Sequence, residues 1–227
     1  MKDWREELTV KKMFPSRGKS AAEGYLSDFS YPWEALDGLA DFIRGYGRTL
    51  SHELYEEREK DVWIAKSARI SPNVSIHAPC IIGEESELRT GAFLRGAVLV
   101  GKNCVVGNSV ELKNCILFDS AQVPHFNYVG DSILGYRAHL GAGAITSNVK
   151  SDKSPVSVSF EGERLETGRR KLGAILGEGV EVGCQSVLNP GTVIGKESRI
   201  YPLCSIRGYV PPRTLCKSDR DRTILEK

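Results

Sequence analysis

A few side chains in this 227-residue sequence have the chemistry of group transfer. The four histidines are His52, His77, His125 and His139, and imidazole is the side chain whose ordinary titration falls near neutrality. His125 sits in Pro124-His125-Phe126-Asn127-Tyr128, inside an interruption of the repeat described below. An imidazole displaced from a rigid scaffold is exposed while its neighbours stay fixed, which suits a general base. Arg95 and Lys113 are eighteen residues apart, so a coil of that length stacks one on the other at about 4.8 Å. Two cations that close repel by a few kcal/mol at an effective dielectric of about 20, so they either splay or hold an anion between them. Gly168-Arg169-Arg170-Lys171 adds three consecutive cations, which form a solvated face or a carboxylate or phosphate site. The bare Gly141-Ala142-Gly143 is a weak phosphate signal, although small residues at a corner let a ligand approach the backbone.

These groups need a scaffold that repeats, and the sequence has one. An aliphatic or aromatic residue returns every sixth position through Ile64, Ile70, Ile76, Ile82, Leu88, Leu94, Val100, Val106, Leu112 and Phe118. The ladder resumes at Tyr128, Leu134 and Leu140, and after an insertion at Leu176, Val182, Leu188, Ile194, Ile200 and Ile206. Six is a multiple of the strand period, and no helix keeps one face at that step. A hexapeptide period marks a β-solenoid with three short faces per coil. These nineteen rungs give about six coils.

The flanking segments follow from the loss of that period. Residues up to about Ser30 read as a loosely held arm. Trp33, Leu36, Leu39, Ala40 and Ile43 share one helical face, with Pro32 in the first turn. A second helical piece is expected around Leu50 to Arg58. A solenoid must cover its first coil, so this segment is read as a cap. In residues 149–168, Val156, Val158 and Phe160 alternate with serines before Glu161-Gly162, which predicts a protruding hairpin. The organisation is then arm and helical cap over 1–60, solenoid over 61–210 and polar tail over 211–227.

A net charge of +2 gives no electrostatic case for nucleic acid or an anionic membrane. The start lacks the apolar core of a signal peptide and no apolar run spans a bilayer, so a cytoplasmic protein without membrane partners is expected. Of the six cysteines, Cys80, Cys104 and Cys204 take small inward positions, while Cys115, Cys184 and Cys216 are unassigned. No CxxC or CxxH spacing supports a structural zinc, and no metal ligands are expected. The histidines also lack the close pair that a zinc-dependent trimeric β-helix carbonic anhydrase would need.

The runs "HFNYVGDSILG" (His125 to Gly135) and "LGAGAITSN" (Leu140 to Asn148) resemble the acetyltransferase domain of bifunctional N-acetylglucosamine-1-phosphate uridyltransferase/glucosamine-1-phosphate acetyltransferases. "GRRKLGAILG" (Gly168 to Gly177) and the hairpin before it are similar to the archaeal-type sugar-phosphate nucleotidylyltransferases carrying that domain. "YPWEAL" (Tyr31 to Leu36) resembles the helix that bridges their two halves. The resemblance implies an all-β fold, a left-handed parallel β-helix, assembled as a homotrimer. It also implies acetyl-CoA-dependent N-acetylation of an amino-sugar 1-phosphate in nucleotide-sugar biosynthesis, with no metal required.

Carried over residue by residue, the resemblance makes His125 the general base. It gives Arg95 and Lys113 to the sugar phosphate and Tyr128 to the sugar. Ala142 and Asn148 lie against acetyl-CoA and its thioester, and Lys150 or Lys153 serves the substrate. His139 stands where the bacterial pattern has a sugar-binding asparagine, and Cys184 where it has a serine near the coenzyme. A basic residue near the C-terminus also contacts the coenzyme, with Lys217 and Arg220 as candidates. No Gly-rich, Arg-containing nucleotide loop precedes Tyr31, so nucleotidyl transfer is not expected of these residues. The alternative is a non-catalytic β-helix that binds a sugar nucleotide or docks on a partner enzyme.

Overall fold

The computed structural model describes residues 3–217. The described chain is a three-sided parallel β-solenoid, the left-handed β-helix expected. Its first face stacks Val62–Ala65, Cys80–Ile82, Val98–Val100, the second half of Glu111–Leu117, the second half of Tyr128–Leu134, Ala174–Leu176, Thr192–Ile194 and Tyr209–Val210. The second face runs from Arg69–Ile70 through Gln122–His125 and His139–Leu140 to Leu215–Cys216. The third runs from Ser75–Ile76 through Phe93–Leu94, Ile145–Thr146 and Val187–Leu188 to Ser205–Ile206. Eight strands stack on each of the first two faces and seven on the third, more than six coils.

The miscount has a physical cause. Val100, Leu117 and Leu134 are register partners on the first face, as are Leu112, Val129 and Thr146 on the third. These middle coils have each lost one residue, and the loss falls at the corner from third face to first. The inward rungs are therefore Leu117 and Val129, not Phe118 and Tyr128, and both belong to the solenoid core. Phe118 points outward instead, its ring 4.5 Å from that of Phe14. The regular winding is thus unbroken at His125. After the first coil, the corners from second face to third turn on a left-handed residue, among them Ser109, Phe126, Gln185 and Leu203.

The N-terminal segment is not loose. Leu8, Met13, Ala22, Leu26, Trp33, Leu36, Leu39 and Ile43 are all buried. They cover the outer side of the first face, where Trp63, Ile81, Leu99, Ile116, Ile133, Ile175, Val193 and Tyr209 form an apolar stripe. Trp4 stacks on Tyr209 of the last coil at 6.1 Å. The helix Leu39–Gly47 ends where Gly47 lies so close to the Trp63 ring of the first coil that any side chain there would overlap it. The helical segment therefore runs down one side of the prism, not across its end. Leu39, Ile43 and Gly47 are its buried face, spaced by one helical turn.

The end of the first face is met by a strand, Tyr55–Glu59, where a second helical piece was expected. It pairs antiparallel with Val62–Ala65 after a turn at Asp61, φ 63°. Its charged sequence, Tyr-Glu-Glu-Arg-Glu, blunts an otherwise open edge. The hairpin forms as expected, Ser157–Phe160 against Glu163–Glu166, with Glu161 and Gly162 both at positive φ. Val156 and Val158 at its base are buried on the first face. Cys80, Cys104 and Cys204 point inward as expected, and Cys115 joins them.

Candidate active site

With the first face covered, the candidate side chains fall along the two edges of the third. At the edge shared with the second face, His125 is exposed and in register with Asn108 below. The Gly143 amide donates to its carbonyl at 3.0 Å, Gln185 to that of Ala142 at 2.9 Å, and Leu203 to that of Cys184 at 3.0 Å. His125, Ala142 and Cys184 therefore form one ridge across three consecutive coils, and Cys184 is exposed on it. Asn127 fixes this ridge. It is 3% exposed. Its Oδ1 accepts from the His125 amide at 3.1 Å, and its Nδ2 donates to the carbonyls of Gly141 and Ala144 at 2.8 and 3.0 Å.

At the opposite edge Arg95 and Lys113 occupy the same column on adjacent coils, as the spacing requires; the Arg95 amide donates to the Leu112 carbonyl at 2.8 Å. Neither cation is bare. Arg95 Nη1 meets Glu111 Oε1 at 2.6 Å, and Lys113 Nζ lies 3.5 Å from Asp131 Oδ2. The Tyr128 ring crosses Gly130, which has no side chain to displace, and its hydroxyl accepts from Asn148 Nδ2 at 3.1 Å. Burial first, then the Asp131 and Glu111 carboxylates, push the Tyr128 phenol up, while the Asn148 hydrogen bond and Arg95 pull it down. Asn148 Nδ2 also donates to Asp131 Oδ2 at 2.5 Å.

Beside this edge a cleft of about 390 Å³ is lined by Asn114, Asp131, Arg169, Arg170, Lys171 and Asp37. The insertion returns there: the Leu172 amide donates to the Asn148 carbonyl and the Gly173 amide to that of Asp131. Arg169 is drawn away to Asp37, an ion pair at 2.6 Å. Arg170 and Lys171 stay exposed at the mouth. A larger cleft, about 610 Å³ between Phe14, Leu26, Phe29 and Phe118, is bordered by none of the expected site residues.

The arrangement separates some residues that the resemblance groups together. His139 is on the second face, paired in register with Gln122 and Glu181, and so is not beside Arg95 and Lys113 of its own chain. Asn148 is at the far edge of the third face from Ala142 and Cys184. Lys150 Nζ is held within its own loop by Ser154 Oγ at 2.7 Å and the Pro155 carbonyl at 3.2 Å, and Lys153 is exposed. Lys217 Nζ lies 5.3 Å over the Tyr201 ring, while Arg220 is outside the described residues. Asn127 and Asp131 were missed, although Asn114, Asp131 and Asn148 are spaced seventeen apart, the length of the shortened coils.

A family model described as the GMPPB C-terminal domain matches residues 79–196. The chain belongs to that family. The GMPPB C-terminal match begins at the second coil and takes in both edges of the candidate site. Among curated relatives, the bifunctional sugar-1-phosphate nucleotidylyltransferase/acetyltransferase of Sulfurisphaera tokodaii is 36% identical over 199 residues, covering 79% of this chain and 46% of the relative. The bifunctional protein GlmU of Methanococcus maripaludis is 36% identical over 186 residues, covering 81% and 45%. The chain thus spans about half the length of the curated relatives it matches. A solved structure of a putative acetyltransferase from Bacillus cereus is 20% identical, with TM-score 0.39, over 70% of this chain and 74% of its own. Among the described residues no helix is long and apolar enough to cross a membrane.

Proposed function

We propose that this member of the GMPPB C-terminal domain family is an acetyl-CoA-dependent N-acetyltransferase acting on an amino-sugar 1-phosphate. The observation that carries this reading is the pairing of an exposed imidazole on the ridge of His125, Ala142 and Cys184 with a cation- and amide-rich edge at Arg95, Lys113, Tyr128 and Asn148. The relatives' names supply the group transferred.

In this reading the coenzyme lies along the ridge, where Ala142 offers no bulk and Cys184 borders it. The sugar lies on the third face, its phosphate near Lys113 and Arg95, with Lys150 or Lys153 closing over it. His125 takes the proton of the attacking amine as the nitrogen–carbon bond forms and the carbon–sulfur bond breaks. The imidazolium then returns that proton to the departing thiolate, so CoA leaves as the thiol. A direct attack needs no Ser or Cys nucleophile. A homotrimer is part of the proposal: the second and third faces are uncovered, and Ile145 and Val187 stack as an exposed aliphatic column on the third. Packing the second face of one copy against the third of the next brings His139 to the sugar.

The test is CoA release from acetyl-CoA in the presence of glucosamine-1-phosphate, galactosamine-1-phosphate and their non-phosphorylated amines. Release specific to the phosphorylated amines is expected. No CoA above background with any of them leaves a scaffold, not an enzyme.

A further inference from the structure

We propose that Asp131 is a positioning residue that sets the sugar-facing edge of the site by holding Asn148, and through it the Tyr128 hydroxyl, together with Lys113. The proposal rests on the acyltransfer reading for its kinetic consequence but not for its geometry. Asp131 is 3% exposed. A carboxylate taken out of water must be compensated by charge and hydrogen bonds, and this one is served by two neighbouring coils. Oδ1 accepts from Asn114 Nδ2 at 2.8 Å from below, and Oδ2 from Asn148 Nδ2 at 2.5 Å from above. Lys113 Nζ is 3.5 Å from Oδ2.

The winding itself does not call for a carboxylate here. The same corner position is taken by Ala97 one coil beyond Asn114, and by Gly191 and Gly208 higher up, all at positive φ like Asp131 at 48°. Those corners turn without an acid. What distinguishes the Asp131 corner is its surroundings: it stands between two shortened coils, which bring Asn114, Asp131 and Asn148 into one column. A charge-assisted hydrogen bond is the strongest way to fix an amide side chain in one orientation. It leaves the second Asn148 Nδ2 hydrogen directed at the Tyr128 hydroxyl. Asp131 need not touch substrate.

The test uses the full chain with Asp131→Asn and Asp131→Gly, the second because glycine suits the left-handed backbone and protects folding. In Asp131→Asn, the column loses the negative charge and one of the two acceptors that serve Asn114 and Asn148. Both variants are expected to lower kcat at least tenfold while KM for acetyl-CoA stays within twofold. Combining Asp131→Gly with Asn148→Ala should be no slower than the slower single variant, since both remove one interaction. A second readout needs no turnover. The Asn148 side-chain amide resonance, assigned by its loss in Asn148→Ala, should move upfield in both Asp131 variants. An unmoved resonance, multiplicative kinetic losses or a kcat within twofold of wild type overturns the proposal. If the unaltered chain acetylates no amine, the proposed function falls, and the resonance alone decides whether Asp131 holds Asn148.

Discussion

Arg95 Nη1 lies 2.6 Å from Glu111 Oε1, so the arginine expected to face a bare lysine is already paired with a carboxylate one coil away. The cation pair and its register are real, yet each member carries its own acid, Glu111 for Arg95 and Asp131 for Lys113. An incoming phosphate must compete for both cations, which makes binding depend on ionic strength and on the geometry of the acids.

Arg95→Ala should therefore raise KM for the sugar phosphate roughly ten- to hundredfold, because a charge-assisted contact to phosphate is lost. KM for acetyl-CoA should stay within twofold. Steady-state kinetics with each substrate varied in turn checks this; equal effects on both constants would remove Arg95 from the phosphate site.

Cys184 reports on the other edge. It is exposed, whereas burial pushes the Cys80, Cys104 and Cys115 thiols up, Cys104 to about 12. Alkylation at pH 8 should label Cys184 and spare these three. Acetyl-CoA at saturating concentration should slow that labelling at least fivefold, read by peptide mass spectrometry. Unchanged labelling would move the coenzyme off this ridge.

The N-terminal segment is part of the fold. Trp33 is 1% exposed against the first face, and Trp33→Ala should destabilise the chain by about 3–5 kcal/mol. Urea denaturation followed by circular dichroism measures it. A loss under about 1 kcal/mol would mean that the segment is only loosely attached.

How much of this could be read beforehand differs by element. The six-residue ladder exposes the fold because each rung must be apolar to fill a narrow prism. A coil that loses one residue keeps its pattern on either side, so Phe118 and Tyr128 passed for rungs while Leu117 and Val129 do the work. The packing of the N-terminus had a signal in Cys80-Ile81-Ile82, Val98-Leu99-Val100 and Cys115-Ile116-Leu117. Three apolar residues in a row leave the middle one outside the core, where something must cover it. The Arg95–Lys113 column was legible from spacing, and His125 is exposed as read, on a regular corner and not at a break in the winding. Asp131 was not, because its partners follow a seventeen-residue step that becomes visible only once the coils are known to shorten.

Two tyrosines contribute to alkaline stability beside the buried thiols and Tyr128. Burial raises Tyr55 and Tyr209 from 10.0 to about 12. The folded chain then holds phenol protons that the unfolded chain gives up near pH 10, so the stabilisation is complete below pH 10 and is lost as pH rises toward about 12. Thermal melts between pH 9 and 12 should show this fall, and Tyr55→Phe with Tyr209→Phe should make it shallower. An equally steep fall in the double variant would assign it to other groups.

The measurement closest to the central claim is kcat/KM for the phosphorylated amine in His125→Ala at pH 7.5. With the ridge imidazole as the base, the value should drop by roughly 10²- to 10⁴-fold while the fold, by circular dichroism, is unchanged. A value within fivefold of wild type would mean that another group takes the proton and that His125 is an ordinary corner residue.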